Sequence, residues 1–443
     1  MRKVLERHLT HVLVAGFLLA GHASAQIPLG GEFRVNETTT FGQYGPAVAW
    51  GSSGFIVTWT SAFQDASGSG IYAHRYQGSG DPFGGEFRVN TFTPNKQDRS
   101  QVVSDAAGAF VVVWGSRNED GSYYGVFGQR LSSSGGGAGA EFRVNSYTTS
   151  SQDRATIASS GGGFVVAWTS SSQDAGTGVF AQRFDSGGAP LGPEFRVNTY
   201  TTSYQFQPSV AASPTQAFVV VWSSKGQDGS GYGVFAQRYA SSGDPDGGEF
   251  RVSTFTTNDQ AFPRAAVSPS GDFVVVWKST FQDGPRDAIF GQRFASSGGP
   301  LGGEFTVSTA PSSQQYPAVA FDSSGRFVIA WQGSVYLQAE NIFGKVYSSA
   351  GAPLSGDFLV SSFTPDFQSK PALAFAPGGD FVVTWASTNQ DGSAEGVFAQ
   401  RFCLDVLSSV SVSTLGSLAV CTNSVPGGVA FVTDTGGGTT AHQ

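Results

Sequence analysis

The chain is built on one recurring pattern of apolar and polar positions. Residues 217–239, AFVVVWSSKGQDGSGYGVFAQRY, hold an apolar run at 218–222, a polar loop, and a second, more mixed run at 234–239. A continuous apolar run suits a strand covered on both faces, because a half-exposed strand alternates apolar with polar residues. The second run is interrupted by Gln237 and Arg238 and is expected to lie nearer water.

Copies of this unit fill most of the sequence. The motif EFRVN or a variant begins at Glu32, Glu86, Glu141, Glu194, Glu249, Glu304 and Asp357, in steps of 53 to 55 residues. The Trp that closes the first apolar run recurs as Trp59, Trp114, Trp168, Trp222, Trp277, Trp331 and Trp385. Each copy holds four strand candidates, in the fourth copy 208–212, 218–222, 234–239 and 249–253, the first two joined by a short turn. Four antiparallel strands repeated at about 50 residues predict the blades of a β-propeller. We label the strands A to D from the axis outward.

The order of the copies predicts how the ring closes. One EFRVN, at 32–36, precedes the first A strand, whereas the last copy ends with its C strand at 397–402 and has no EFRVN after it. This excess and deficit fit together if the leading strand completes the last blade and covers its open edge. The expectation is an all-β, closed seven-bladed propeller over residues 26–402, with the last blade finished by the N-terminal strand.

The segments FVVVW, QDGSG, GVFAQRF and GEFRVN resemble repeats of secreted and surface-attached bacterial proteins. The pattern P-x-V-A followed by F-V-V is similar to the first hairpin of TolB-like and WD40-like propellers. The resemblance extends over 32–402 and implies a propeller with a binding or scaffolding role. It carries no catalytic residue.

The flanks add location. Arg2, Lys3 and Arg7, the apolar run 12–20 and Ala23-Ser24-Ala25 form a basic region, an apolar core and a small-residue cleavage site, so residues 1–25 read as a secretory signal peptide. The run is too short to span about 30 Å of hydrocarbon, and no later membrane span is expected. A secreted protein follows, in the periplasm, at the cell surface or outside the cell. The tail 403–443 departs from the repeat and holds the only cysteines, Cys403 and Cys421, which in an exported chain are expected to form a disulfide.

Charge and residue counts narrow the chemistry. The net charge of -8 disfavours binding to phosphate backbones, so no nucleic-acid partner is expected. In the repeat body His74 is the one histidine, in a slot that holds Gln129, Gln182, Gln237, Gln292 and Gln400 elsewhere. It reads as a structural replacement, and His-based triads or metal sites have no parts. The B to C loops carry Asp65, Asp120, Asp174, Asp228, Asp283 and Asp391, which read mainly as turn formers beside small residues. Each loop offers one carboxylate where calcium commonly takes several, so no metal or cofactor is expected and Ca²⁺ is the weaker alternative. The C-strand arginines, such as Arg183 and Arg238, and the Glu of EFRVN read as exposed ion pairs across the C to D hairpin.

The long D to A loops carry Phe92, Tyr147, Tyr200, Tyr204, Phe255, Phe262, Tyr316 and Phe363, which are the ligand-binding candidates. The function expected from these features is a non-enzymatic binding, adhesion or interaction scaffold for an extracellular glycan or protein. One alternative is a carbohydrate-active hydrolase or lyase using carboxylates near the central channel. Another is a structural spacer of a larger surface protein. An enzyme should break the repeat with acids in one or two blades that the others lack. Judged by the loop acids, the odd copy is the sixth, which has lost its Asp and gained Glu340, and this tilts against catalysis.

Overall fold

Seven antiparallel sheets stand around a central axis in a computed structural model that describes residues 26–105, 107–173, 176–308, 312–334, 339–392 and 394–404. In the fourth blade the order from the axis outward is Gln205–Ala212, Phe218–Lys225, Tyr232–Tyr239 and Phe250–Arg251. Each A strand packs beside the next, and the seventh, Gln368–Phe375, beside the first, Gln43–Trp50. The ring is closed. No helix among the described residues is long and apolar enough to cross a membrane.

The seam forms where the sequence places it. Phe33–Arg34 pairs with the seventh C strand, Glu395–Leu404, with Phe33 opposite Ala399 and Arg34 opposite Phe398. The Val35 N–H adds a bond of 2.8 Å to the Val397 carbonyl. A second segment, Gln26–Pro28, extends the same edge opposite Leu404, Cys403 and Phe402.

Hydrophobic burial runs between blades rather than within them. The third blade's Val165, Ala167, Val179 and Ala181 pack in one cluster with Val210, Phe218, Val220 and Trp222 of the fourth. A lone sheet would leave both faces wet, so each blade needs two neighbours. Trp222 is fully buried, as are its six counterparts. At the other end of the B strand Phe218 stacks on Tyr239 at 4.7 Å, and five further blades repeat the stack. The C strand is not nearer water, contrary to the sequence expectation: its residues 233–237 are all buried. Gln237 is tolerated there because its Nε2 donates to the Arg238 and Gly247 carbonyls at 2.8 and 3.0 Å.

Two polar rings then tie blade to blade. On the D to A face, the glutamate that opens the D strand in six blades accepts the backbone N–H that follows the preceding blade's D strand, and in the sixth blade Asp357 accepts the Ser308 hydroxyl. Glu194 takes Ser146 N, Glu249 takes Thr199 N and Glu32 takes Ser362 N, each at 2.6 Å. The Gln before the loop Asp donates to the same carboxylate, as Gln64 does to Glu86 and Gln173 to Glu194 at 2.5 Å. On the opposite face Arg183 Nη2 donates to Ser241 O and Arg401 Nη2 to Gly78 O, both in the next blade and both at 2.7 Å. The expected Glu–Arg pairs across the hairpin are therefore replaced by bonds between blades, because blade neighbours lie closer to these side chains than the hairpin partner does.

The second blade breaks the pattern with Glu119 in the Gln slot, facing Glu141. A carboxylate cannot donate, so this latch requires a proton. Burial, and then the hydrogen bond to Glu141, push the Glu119 carboxyl up to about 8. Its folded value lies above the ordinary 4.5, so the contribution is complete below about pH 4.5 and is lost as pH rises to about 8.

Two outcomes follow. Val35→Asp places an unpaired carboxylate in the seam core and is expected to lower stability by about 3–5 kcal/mol in urea unfolding. Glu119→Gln restores the repeat's donor, so its advantage over the wild type is expected to grow from near zero at pH 5 to roughly 1–2 kcal/mol at pH 9. A gap that stays constant with pH would show that the pair shares no proton.

Candidate functional site at the channel mouth

The channel has two ends with different chemistry. The A to B turns surround a cavity of about 430 Å³ lined by all seven blades, including Trp50, Ser159, Val267, Phe321 and Phe375. Its acids are occupied locally: Asp105 Oδ1 accepts Ala107 N and Ala109 N, and Asp322 holds Arg326 at 2.7 Å. That end presents small and apolar turn residues. The reactive groups gather at the other end, where the A strands begin.

Every A strand starts with a buried glutamine, Gln43, Gln97, Gln152, Gln205, Gln260, Gln314 or Gln368. Its amide holds the D to A loop, as Gln97 Nε2 does by donating to Pro94 O at 2.8 Å. Two residues later the backbone turns left-handed in all seven blades, with φ of 62° at Gly45, 59° at Arg99, 55° at Arg154 and Gln207, 57° at Phe262, 50° at Tyr316 and 53° at Lys370. A register shift between strands A and B marks each site as a bulge. Only Gly45 adopts this conformation without a steric cost, which for other residues is about 1–2 kcal/mol. The preceding blade holds three of the bulges: Thr60 Oγ1 accepts Arg99 N, Gln207 Oε1 accepts Phe262 N and Gln332 Oε1 accepts Lys370 N, at 3.2 to 3.3 Å.

The backbone is uniform here while the side chains differ. The residue after each glutamine is Tyr44, Asp98, Asp153, Phe206, Ala261, Gln315 or Ser369, so acids occur in the second and third blades alone. Arg99 Nη1 pairs with Asp153 Oδ2 at 2.7 Å. Asp98 Oδ1 is buried without a partner among the described residues. Burial first, with Asp153 adding, pushes the Asp98 carboxyl up, opposed by Arg99. Further round, burial raises Glu395, and Lys370 opposes that shift. Glu340 of the sixth blade accepts Gln315 Nε2 at 3.3 Å, so the acid arc runs from the sixth blade through the seventh to the third.

The other side of the mouth is aromatic. Phe206 meets Tyr232 edge-on at 5.0 Å and Phe262 meets Tyr316 edge-on at 5.1 Å, with Lys278 Nζ 5.9 Å above the Phe262 ring. Of the loop aromatics singled out from sequence, Phe262 and Tyr316 stand in this wall and Tyr204 lies beside it, half exposed over Lys225. Phe92, Tyr147, Tyr200, Phe255 and Phe363 occupy one equivalent rim position just after the D strands, half-buried in their own loops. The carbonyls of Phe92, Tyr147 and Tyr200 accept Asn90, Asn145 and Asn198. The structure thus divides the set into a wall and a rim.

The loop acids sit away from the axis. Asp65, Asp120 and Asp228 accept the N–H two residues on, from Ser67, Ser122 and Ser230, at 3.0 to 3.2 Å. Asp391 accepts Asn36 Nδ2 at 3.2 Å, Asp283 lies in the matching loop of the fifth blade, and Asp174 falls outside the described residues. A Cβ on Gly233 would come within 2.5 Å of Asp228 Oδ2, so the carboxylate rests directly on the C strand. Among the described residues no three His, Cys, Asp or Glu are grouped to hold a metal. His74 is buried with Nδ1 and Nε2 each 3.0 Å from a carbonyl, Val35 O and Gly84 O. Cys403 is buried in the seventh C strand, and Cys421 lies outside the described residues.

No protein-family model and no curated protein matches the chain. Solved structures align with it as propellers. A Dyadobacter fermentans protein of unknown function matches with a TM-score of 0.52 and 8% identity, over 86% of this chain and 99% of its own. An α-L-arabinanase of Penicillium chrysogenum in complex with arabinobiose gives 0.45 and 12%, over 84% and 98%. A Trypanosoma rangeli sialidase with the inhibitor DANA gives 0.42 and 11%, over 72% of this chain and 56% of that one. At these identities the likeness is one of fold.

The expectation of a non-enzymatic binding or adhesion scaffold is corrected. At the position after the A-strand glutamine, acids stand in the second and third blades alone, the asymmetry that the sequence reading set as the mark of an enzyme. That reading weighed only the repeated loop acids. Removing the opposing charge in Arg99→Met is expected to raise the Asp98 titration midpoint, read by carboxyl ¹³C NMR; an unchanged midpoint would place Arg99 outside the acid's field.

Proposed function

We propose that the chain is an exported glycan-cleaving hydrolase whose reaction centre is the acid arc of the channel mouth. The carrying observation is the pair Asp98 and Asp153, equivalent residues of adjacent blades in different environments: one desolvated with an unpartnered oxygen, the other bound to Arg99. Such a division suits an acid and a carboxylate working together. Asp98 gives its proton to the glycosidic oxygen as the bond to the anomeric carbon breaks. Water forms the new bond to that carbon and passes a proton to Asp153.

The aromatic wall supplies the apolar surface on which sugar rings pack, with Phe262 and Tyr316 as its central members. A glycan is the partner this wall and arc suit. Export rests on the leader 1–25 and on the likeness of the repeats to those of secreted bacterial proteins and TolB-like propellers. The Cys403–Cys421 disulfide in the tail belongs to the same proposal, as does the absence of a required cofactor.

The test is release of reducing ends from a panel of plant and bacterial polysaccharides. The wild type is expected to cleave at least one, and Asp98→Asn to lower kcat about 10²–10⁴-fold with the fold intact. Full activity in Asp98→Asn would remove the proposed centre.

A further inference from the structure

One level below the mouth, the fifth residue of each A strand lines the bore. These residues are Ala47, Gln101, Thr156, Ser209, Arg264, Ala318 and Ala372. The side chain at this position reaches the next blade's A strand, since Ser209 Oγ accepts Ala265 N at 3.1 Å and Thr156 Oγ1 accepts Val210 N at 3.5 Å. Six of the seven are neutral. The exception is a full positive charge.

Arg264 has no carboxylate partner among the described residues. Its Nη1 donates to the carbonyl of its own neighbour, Pro263, at 2.9 Å. It is exposed to solvent in the bore, and desolvation by the surrounding strands followed by the Arg154 charge pushes its pKa down. Arg154, exposed in the left-handed slot above, also lacks an ion pair among the described residues. Of the other cations near the channel, Arg99 pairs with Asp153, Lys278 with Asp287 and Arg326 with Asp322, and Lys370 lies in the field of Glu395 as Arg154 lies in that of Asp98. Two cations that repel one another at the axis of a chain with net charge -8 are an unusual arrangement to keep. An anion seated between them would turn that repulsion into two attractions.

We infer that Arg154 and Arg264 form an anion-binding site on the channel axis and that the saccharide held at the mouth carries a carboxylate. The inference rests on the mouth being a glycan site. A guanidinium presents a planar fork of donors that fits a carboxylate in two parallel bonds. Phe262, two residues before Arg264 on the same strand, offers the ring of such a sugar an apolar surface beside its charged group.

The experiment is equilibrium binding of the full chain to oligogalacturonate, to a neutral oligosaccharide of arabinose and to dextran sulfate, by calorimetry. The wild type is expected to bind oligogalacturonate, and Arg264→Met to weaken that binding at least tenfold while melting no lower than the wild type. Arg154→Met, at an exposed position, is expected to weaken it similarly and serves if Arg264→Met does not fold. Equal binding by the variants, or preference for the neutral sugar, overturns the site. Tighter binding of dextran sulfate than of oligogalacturonate overturns the carboxylate. Binding of oligogalacturonate with no cleavage of any glycan would sink the hydrolase reading and leave this site standing, whereas cleavage of neutral glycans alone would do the reverse.

Discussion

The structure depends on apolar contact between neighbouring blades, and that contact has to continue across the seam. At six junctions the two blades follow one another in the chain, so their meeting is local. At the seventh the leading segment must find a C strand more than 350 residues away. The entropy of closing so long a loop grows only with the logarithm of its length, which makes the seam affordable once the other blades are stacked. The same bonds then recur at the seam as elsewhere: Glu32 takes Ser362 N, Asn36 Oδ1 takes Val397 N, and Arg401 reaches the Gly78 carbonyl in the first blade.

A closed ring of this kind separates support from chemistry. The tryptophans, stacked rings, rim carboxylates and arginines repeat because each junction poses the same packing problem. The left-handed residues of the mouth repeat only in backbone. An arginine, lysine, phenylalanine or tyrosine in that conformation carries a steric cost that glycine avoids, and the rigid ring sustains it. Residues there are exposed or half-exposed, apart from Gln207, so packing alone does not fix their identity. The ring thereby holds Asp98 and Asp153 in one part of the mouth and Phe206, Phe262 and Tyr316 in another without asking them to stabilise the fold.

Much of the ring was legible in the sequence because repetition reports shared structural duty. The count of EFRVN motifs, the seven tryptophans and the unmatched strand at 32–36 give blade number, core and closure. The buried C strand was misjudged because Gln237 looks polar in isolation and only the fold shows its amide bonded to Gly247 O. The glutamate and arginine were assigned to each other because a hairpin is visible in sequence and the neighbouring blade is not. Asp98 and Asp153 were overlooked because they stand where the copies disagree and not among the acids that recur. Aligning the copies on Gln97 and Gln152 exposes that disagreement without coordinates. The left-handed bulges are hidden in sequence, since only Gly45 announces one. Glu119 is legible, as ED where sister copies read QD, although the proton it needs follows only from its contact with Glu141.

Closure can be read amide by amide through native-state hydrogen exchange. The account predicts that Val35 and Leu29, which donate to Val397 and Arg401 in the seventh C strand, are protected to the same free energy as the C-strand amides of the inner blades. Exchange of Val35 and Leu29 at rates near those of a free chain, with the other six blades still protected, would contradict it.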